Sequence, residues 1–315
     1  MMTKVFIDGS EGTTGLRIFE RFENRDDIEI LKISSELRKD PTEVSKFINA
    51  SDVTFLCLPD AAAIEAVSLC TNENTVIIDA STAHRTSPGW AYGLPELSSA
   101  HREAIRTGKR IAVPGCYASG FISLVYPLVK EGILPKDYPV SCFAASGYSG
   151  GGKKLIGQYE DEARDEKYGS ARMYGWSQAH KHLPEMKAIT GIEREPLFCP
   201  FTTDYYSGML VQLPLYTELL SKKVTPAEVQ ECFAKYYEGE KFIKVHPLGA
   251  EADKGNVLYS NEMSGRDDLC IYVTGNEDRI VVASSFDNLG KGASGAAIQC
   301  FNIVTGVDEA KGLNL

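Results

Sequence analysis

The sequence predicts an α/β protein: a doubly wound parallel sheet with a second, α+β domain. Three observations carry this reading. In the first third of the chain, short and nearly all-apolar strand patterns alternate with helical ones, as expected where a parallel sheet is covered on both faces. The first of these strands runs into three glycines spaced three apart. Farther along the chain, strand patterns outnumber helical ones, which indicates a mixed or antiparallel sheet.

The elements follow in order. KVFID at 4–8 reads as a strand and LRIFERFENR as a helix, joined by GSEGTTG. Gly9, Gly12 and Gly15, with Thr13 and Thr14 between the last two, form a variant of the dinucleotide fingerprint. Such glycines permit a tight turn and let a pyrophosphate rest on exposed helix N–H groups, so this half is read as Rossmann-like. The next strand, IEILKIS, ends at Ser34 and Ser35, with Glu36 following and Arg38 close by. An NAD-preferring pocket usually places an acid at this strand end, whereas hydroxyls and an arginine favour a 2′-phosphate and hence NADP. A helix over 41–49, strand DVTFLCLP, helix AAAIEAVSLC and strand TVIIDAS complete the alternation. The strand ends Leu58–Asp60 and Asp79–Ser81 should face a ligand crevice. TAHRTSPGWAYGLPEL then reads as a polar loop.

IAVPGCYASG at 111–120 organises the rest. A short apolar run stops at Pro114-Gly115, and a helical segment to about Lys130 opens at Cys116-Tyr117. A thiolate at a helix start is stabilised by unpaired backbone N–H groups, so Cys116 is a candidate nucleophile rather than a buried structural cysteine. Strand VSCFAASG leads into the glycine-rich turn Gly147–Gly152, whose amides can cradle an anion or a cofactor edge. Residues 153–178 read as loop or partly helical. In QAHKHLPEMKAITG, Pro184 fits a first helical turn. With His182 at the cap, Glu185 lies one turn on and can orient it, which makes His182 the principal base and His180 secondary. Further strands surround one helix, TPAEVQECFAKYYEG, and DNLGKGASGAAIQCFNIVTG reads as a loop and a small-residue helix.

Composition bounds the alternatives. The chain has 315 residues, a formal net charge of −10 and eight scattered cysteines without a Cys-x-x-Cys pair. This fits a cytoplasmic protein with reduced thiols, and speaks against nucleic acid or acidic membranes as partners. The N-terminal stretch goes into a strand without signal-peptide features. No histidine–cysteine cluster has zinc-ligand spacing, so no metal is expected.

The ordered set GSEGTTG, IIDASTAHR, YGLPEL, PGCYASG, SGYSGGGK, HKHLPE and DNLGKGASG resembles the N-acetyl-γ-glutamyl-phosphate reductases, specifically their shorter form, nearly end to end. The resemblance implies reduction of an acyl phosphate by NADPH through a thioester and thiohemiacetal on Cys116, in arginine biosynthesis. It implies proton transfer by His180 and His182 with Glu185, and a cofactor bordered by the glycine motif, Gly147, Ser149, Gly150 and Asn288. Arg85 stands where related enzymes hold the phosphate. The implied organisation is a nucleotide domain of 1–115 plus 292–315, and a catalytic and dimerisation domain of 116–291, in a homo-oligomer (dimer or tetramer). Ser119 and Leu183 replace threonines common in the family. The arginine that longer members carry before the glycine of Tyr205–Gly208 is missing, which leaves Lys153, Lys154, Arg172 and Lys181 as candidates for the substrate carboxylate. The competing readings are aspartate-semialdehyde dehydrogenase or another phosphorylating aldehyde dehydrogenase, a cysteine hydrolase, and a catalytically silent NADP-binding sensor.

Overall fold

A computed structural model of the protein describes residues 2–250, 252 and 255–315. The chain divides into two compact units. The first runs to Gly115 and resumes over Ala293–Asn314; the second is essentially Cys116–Gly292.

In the first unit, β1 (Thr3–Asp8), β2 (Ile28–Leu31), β3 (Val53–Leu56), β4 (Val76–Asp79), β5 (Ala91–Tyr92) and β6 (Arg110–Ala112) form one parallel sheet of order β2-β1-β3-β4-β6-β5. Alternate strand residues face opposite layers. Val5, Ile7, Phe55 and Ile78 pack with Ile18 and Phe22 of α1 (Thr13–Phe22) and Ile105 of α4 (Ser99–Thr107). Phe6, Leu56 and Ile77 pack on the other face with Val44 and Ile48 of α2 (Pro41–Ala50) and Ala63 and Ala66 of α3 (Asp60–Ser68). The strand order reverses at β1 and β3, the usual ligand crevice of such sheets.

The second unit opens with α5 (Cys116–Lys130), which is buried from Tyr117 to Leu128. Its sheet, of order β11-β12-β13-β10-β7-β9-β8, is mixed. The strands are β7 (Ser141–Gly147), β8 (Arg172–Met173), β9 (Leu197–Thr203), β10 (Met209–Tyr216), β11 (Ile243–Val245), β12 (Leu269–Gly275) and β13 (Arg279–Phe286). The helices are α6 (Gly152–Glu160), α7 (Leu183–Thr190) and α8 (Pro226–Tyr236). A π-helical turn at Gly290–Ser294 leads to α9 (Gly295–Thr305), whose Ile298 and Phe301 join the first unit's core.

The structure adds one helix to these local readings and shortens one strand. The segment 98–107, to which the sequence assigns no element, is a helix: Ser98 caps α4 by accepting from the His101 N–H, and only Ile105 is buried, so its apolar signal is weak. The strand expected over 28–34 stops at Leu31, because residues 34–39 turn, with Ser34 O accepting from the Leu37 and Arg38 N–H groups. The stretch 153–178, read as loop or partly helical, is partly helical: α6 runs from Gly152 to Glu160.

Candidate active site

The glycine loop of the first unit is built by its backbone. Gly9 has φ +85°, and a Cβ there would lie 2.4 Å from Cys57 O; on Gly15 it would lie 2.3 Å from Gly9 O. No side chain fits either position without backbone movement. Gly12 is the N-cap of α1, with Thr13 and Thr14 as its first residues. The N–H groups at this helix start present the positive end that a pyrophosphate needs, so the loop fits a dinucleotide. Beside it, Asp8, Arg38, Lys39 and Leu58 line a hollow of about 260 Å³ at the β1/β3 reversal. Arg38 there is ion-paired to Glu11 of the glycine loop. Burial pushes the Asp8 carboxyl up to about 6, partly offset by the Gly9 N–H. Ser34 and Ser35 stand in the turn that carries Arg38.

Cys116 is the first residue of α5 and stands in a cleft of about 460 Å³ within the second unit. It is the cysteine in that cleft; Cys57, by contrast, is half-buried beside Asp79 and Asp8, and desolvation pushes its thiol up to about 12. The π-helical turn packs directly on Cys116. A Cβ on Gly292 would sit 2.9 Å from Cys116 Cβ, so only glycine lets the two backbones approach this closely.

The histidine segment meets the same cleft. The His182 N–H donates to His180 Nδ1 at 3.2 Å, and the rings stand edge to face with centroids 4.7 Å apart. Both lie near the Tyr117 ring, at 5.9 and 6.0 Å. His180 lines the cleft with Cys116, while His182 caps α7 and is 5% exposed. Glu185, 1% exposed, lies in the first turn of α7. The turn closed by the Leu183 N–H on His180 O folds the two rings together, with His180 at the cleft.

Gly147 and Gly150 line the cleft as well. Asn288 locks their turn: its Nδ2 donates to Ser149 Oγ at 3.0 Å, and its Oδ1 accepts from the Gly208 N–H at 2.9 Å. Of the four candidate cations for a carboxylate, Arg172 and Lys181 line the cleft, whereas Lys153 and Lys154 do not. Arg85 is buried, with Nε donating to Val113 O at 2.9 Å and Nη2 to Ala80 O at 3.3 Å. It therefore braces the ends of β4 and β6, just before the Pro114-Gly115 turn.

Two features were missed in the sequence. Tyr174 donates to Tyr117 Oη at 2.9 Å in the wall of the cleft, and burial raises both phenols, keeping them neutral. Asp79 accepts from Ser81 Oγ at 2.7 Å and bonds His84 Nδ1 at 2.6 Å, while His84 stacks on Trp90. An acid at a strand end followed by serine and histidine was the available signal for the second. Among the described residues no helix is long and apolar enough to cross a membrane, and no cluster of metal-ligating side chains is found.

Residues 4–107 match the model described as semialdehyde dehydrogenase, NAD binding domain, and 116–288 that described as semialdehyde dehydrogenase, dimerisation domain. N-acetyl-gamma-glutamyl-phosphate reductase 2 of a Nostoc species is 43% identical over 98% of this chain and 99% of its own. The protein of that name from Pseudomonas putida is 42% identical over 98% of both chains. Among solved structures, aspartate semialdehyde dehydrogenase II from Vibrio cholerae, complexed with ASA, superposes with a TM-score of 0.73. It shares 13% identity and covers 97% of this chain and 98% of its own, a likeness of fold. The chain belongs to the N-acetyl-γ-glutamyl-phosphate reductase family, within the semialdehyde dehydrogenases.

Proposed function

We infer that this family member reduces N-acetyl-γ-glutamyl phosphate to N-acetylglutamate 5-semialdehyde and phosphate with NADPH, a step of arginine biosynthesis. The observation that carries the reading is Cys116 at the start of α5, in one cleft with His180. The second unit, 116–291 in outline, holds the reacting groups; the first, 1–115 with 292–315, holds the dinucleotide. When bound, the cofactor supplies the hydride.

The Cys116 thiolate attacks the acyl carbon; the S–C bond forms, the C–O bond to phosphate breaks and phosphate leaves. Hydride addition to the resulting thioester gives a thiohemiacetal oxyanion, which takes a proton from the His180/His182 pair. Return of that proton to the pair re-forms the carbonyl, the C–S bond breaks, and the thiolate is regenerated as the semialdehyde departs. His180 touches the reacting atoms in this assignment, while His182 and Glu185 position it. Gly9, Gly12, Thr13, Thr14 and Gly15 hold the pyrophosphate, and Ser34, Ser35 and Arg38 the 2′-phosphate. Gly147, Ser149, Gly150 and Asn288 are assigned to the nicotinamide end. Arg85 holds the Val113 carbonyl at the end of β6. A cytoplasmic homo-oligomer, dimer or tetramer, belongs to the same reading, supported by the dimerisation-domain match.

The test is phosphate-dependent NADP reduction with N-acetylglutamate semialdehyde, run beside aspartate semialdehyde. A preference for the first substrate supports the reading, and a preference for the second replaces it with the aspartate-semialdehyde reaction.

A further inference from the structure

We propose that Arg172 is the specificity residue of the cleft: its guanidinium binds the α-carboxylate of the acylamino-acid substrate. This rests on the acyl-phosphate reading above and adds the subsite that the missing arginine before Gly208 leaves open.

The carboxylate needs a cation that is near the nucleophile, held in place and not already neutralised. Arg172 meets all three conditions. It lines the cleft that contains Cys116 and His180. It opens the two-residue β8, paired in register with Thr202 of β9, which lines the same cleft. Its guanidinium lies over the Tyr159 ring, 5.7 Å from the centroid. Tyr159 is itself 3% exposed, stacked on Tyr148 at 4.7 Å and met edge-on by Tyr168 at 5.0 Å. An aromatic face orients a guanidinium without cancelling its charge. Among the described residues, the Arg172 guanidinium has neither a hydrogen bond nor an ion pair, and no Asp or Glu lines the cleft.

Arg164 of the same unit is engaged elsewhere, in a two-pronged pair with Asp204. Lys181 also lines the cleft, directly after His180 in the chain. A flexible point charge beside the proton-transfer group suits the departing phosphate, whereas the planar fork of Arg172 matches a fixed carboxylate. Leu155 and Met173 add apolar wall for the methylene chain between the two ends of the substrate.

The experiment is steady-state kinetics of the full chain in the oxidative direction, with the Michaelis constants of semialdehyde, phosphate and NADP measured separately. Arg172→Gln should raise KM for the semialdehyde roughly 10²-fold, leave those for phosphate and NADP unchanged, and change kcat little. Arg172→Lys should recover part of the loss. Wild-type enzyme should also discriminate by roughly 10²-fold against the analogue carrying a carboxamide for the α-carboxylate, and Arg172→Gln should lose that discrimination. A rise confined to the phosphate KM would reassign Arg172 to the leaving group and overturn the proposal. So would unchanged constants, or discrimination retained in Arg172→Gln. If wild-type enzyme ignores N-acetylglutamate semialdehyde, the functional reading fails by itself, and the carboxylate-to-carboxamide comparison is then run on the semialdehyde it accepts.

Discussion

The glycine loop of the first unit and the Cys116 cleft of the second are built from different materials. The loop is backbone: Gly9 and Gly15 exist so that nothing projects, and Gly12 starts a helix whose amides face outward. The cleft is side chains from separate stretches of chain: Cys116 from α5, His180 from the turn before α7, Arg172 from β8. A backbone site tolerates any dinucleotide that fits, and leaves discrimination to edge residues such as Arg38. A side-chain site concentrates the chemistry in a few atoms. Substitutions should therefore cost most in the cleft and least at the edge of the loop.

The largest expected effect is at Cys116. Cys116→Ser should lower kcat by at least about 10⁴-fold and leave NADP affinity, measured by calorimetry, unchanged. A comparable loss of cofactor affinity would blur the contrast between the two regions.

Next come the histidines. His180→Asn should lose roughly 10²–10⁴-fold in turnover, and also slow alkylation of Cys116 near neutral pH. His182→Asn should lose less in both assays. The sequence alone favours the opposite ranking, and a larger defect in His182→Asn would restore it.

A stability effect separates the regions further. Asp8 ionises at about 6 when folded, against an ordinary value of 3.8, because burial penalises its charge. The folded state therefore holds the proton more tightly, and stability falls as pH rises from about 4 through 6. Asp8→Asn should stabilise the protein by up to about 3 kcal/mol at pH 7.5, with about half that gain at pH 5, read by urea unfolding. A gain independent of pH would remove the buried charge as its cause.

The smallest effect belongs to Arg38. Arg38→Ala should weaken NADP roughly tenfold while NAD changes little. Equal losses for both cofactors would take the 2′-phosphate away from this edge.

The same contrast explains what the sequence reveals. The glycine loop is a local pattern, so its spacing and flanking strand and helix are legible directly. Cys116 is legible because Pro114-Gly115 marks the turn before its helix. The histidine geometry is not, since a single turn between His180 and Leu183 decides which ring reaches the cleft. Arg172 stands out only after β8 and β9 pair and Tyr159 is buried beneath it. The helix α4 escapes because it is polar on most of its surface.

Whether Cys116 carries a covalent acyl group is decided by mixing the enzyme with N-acetyl-γ-glutamyl phosphate in the absence of NADPH. Peptide mass spectrometry should then find one N-acetylglutamyl group on Cys116 for each phosphate released, and none in Cys116→Ser. Phosphate release that requires NADPH, with no adduct on Cys116, would contradict a covalent acyl group there.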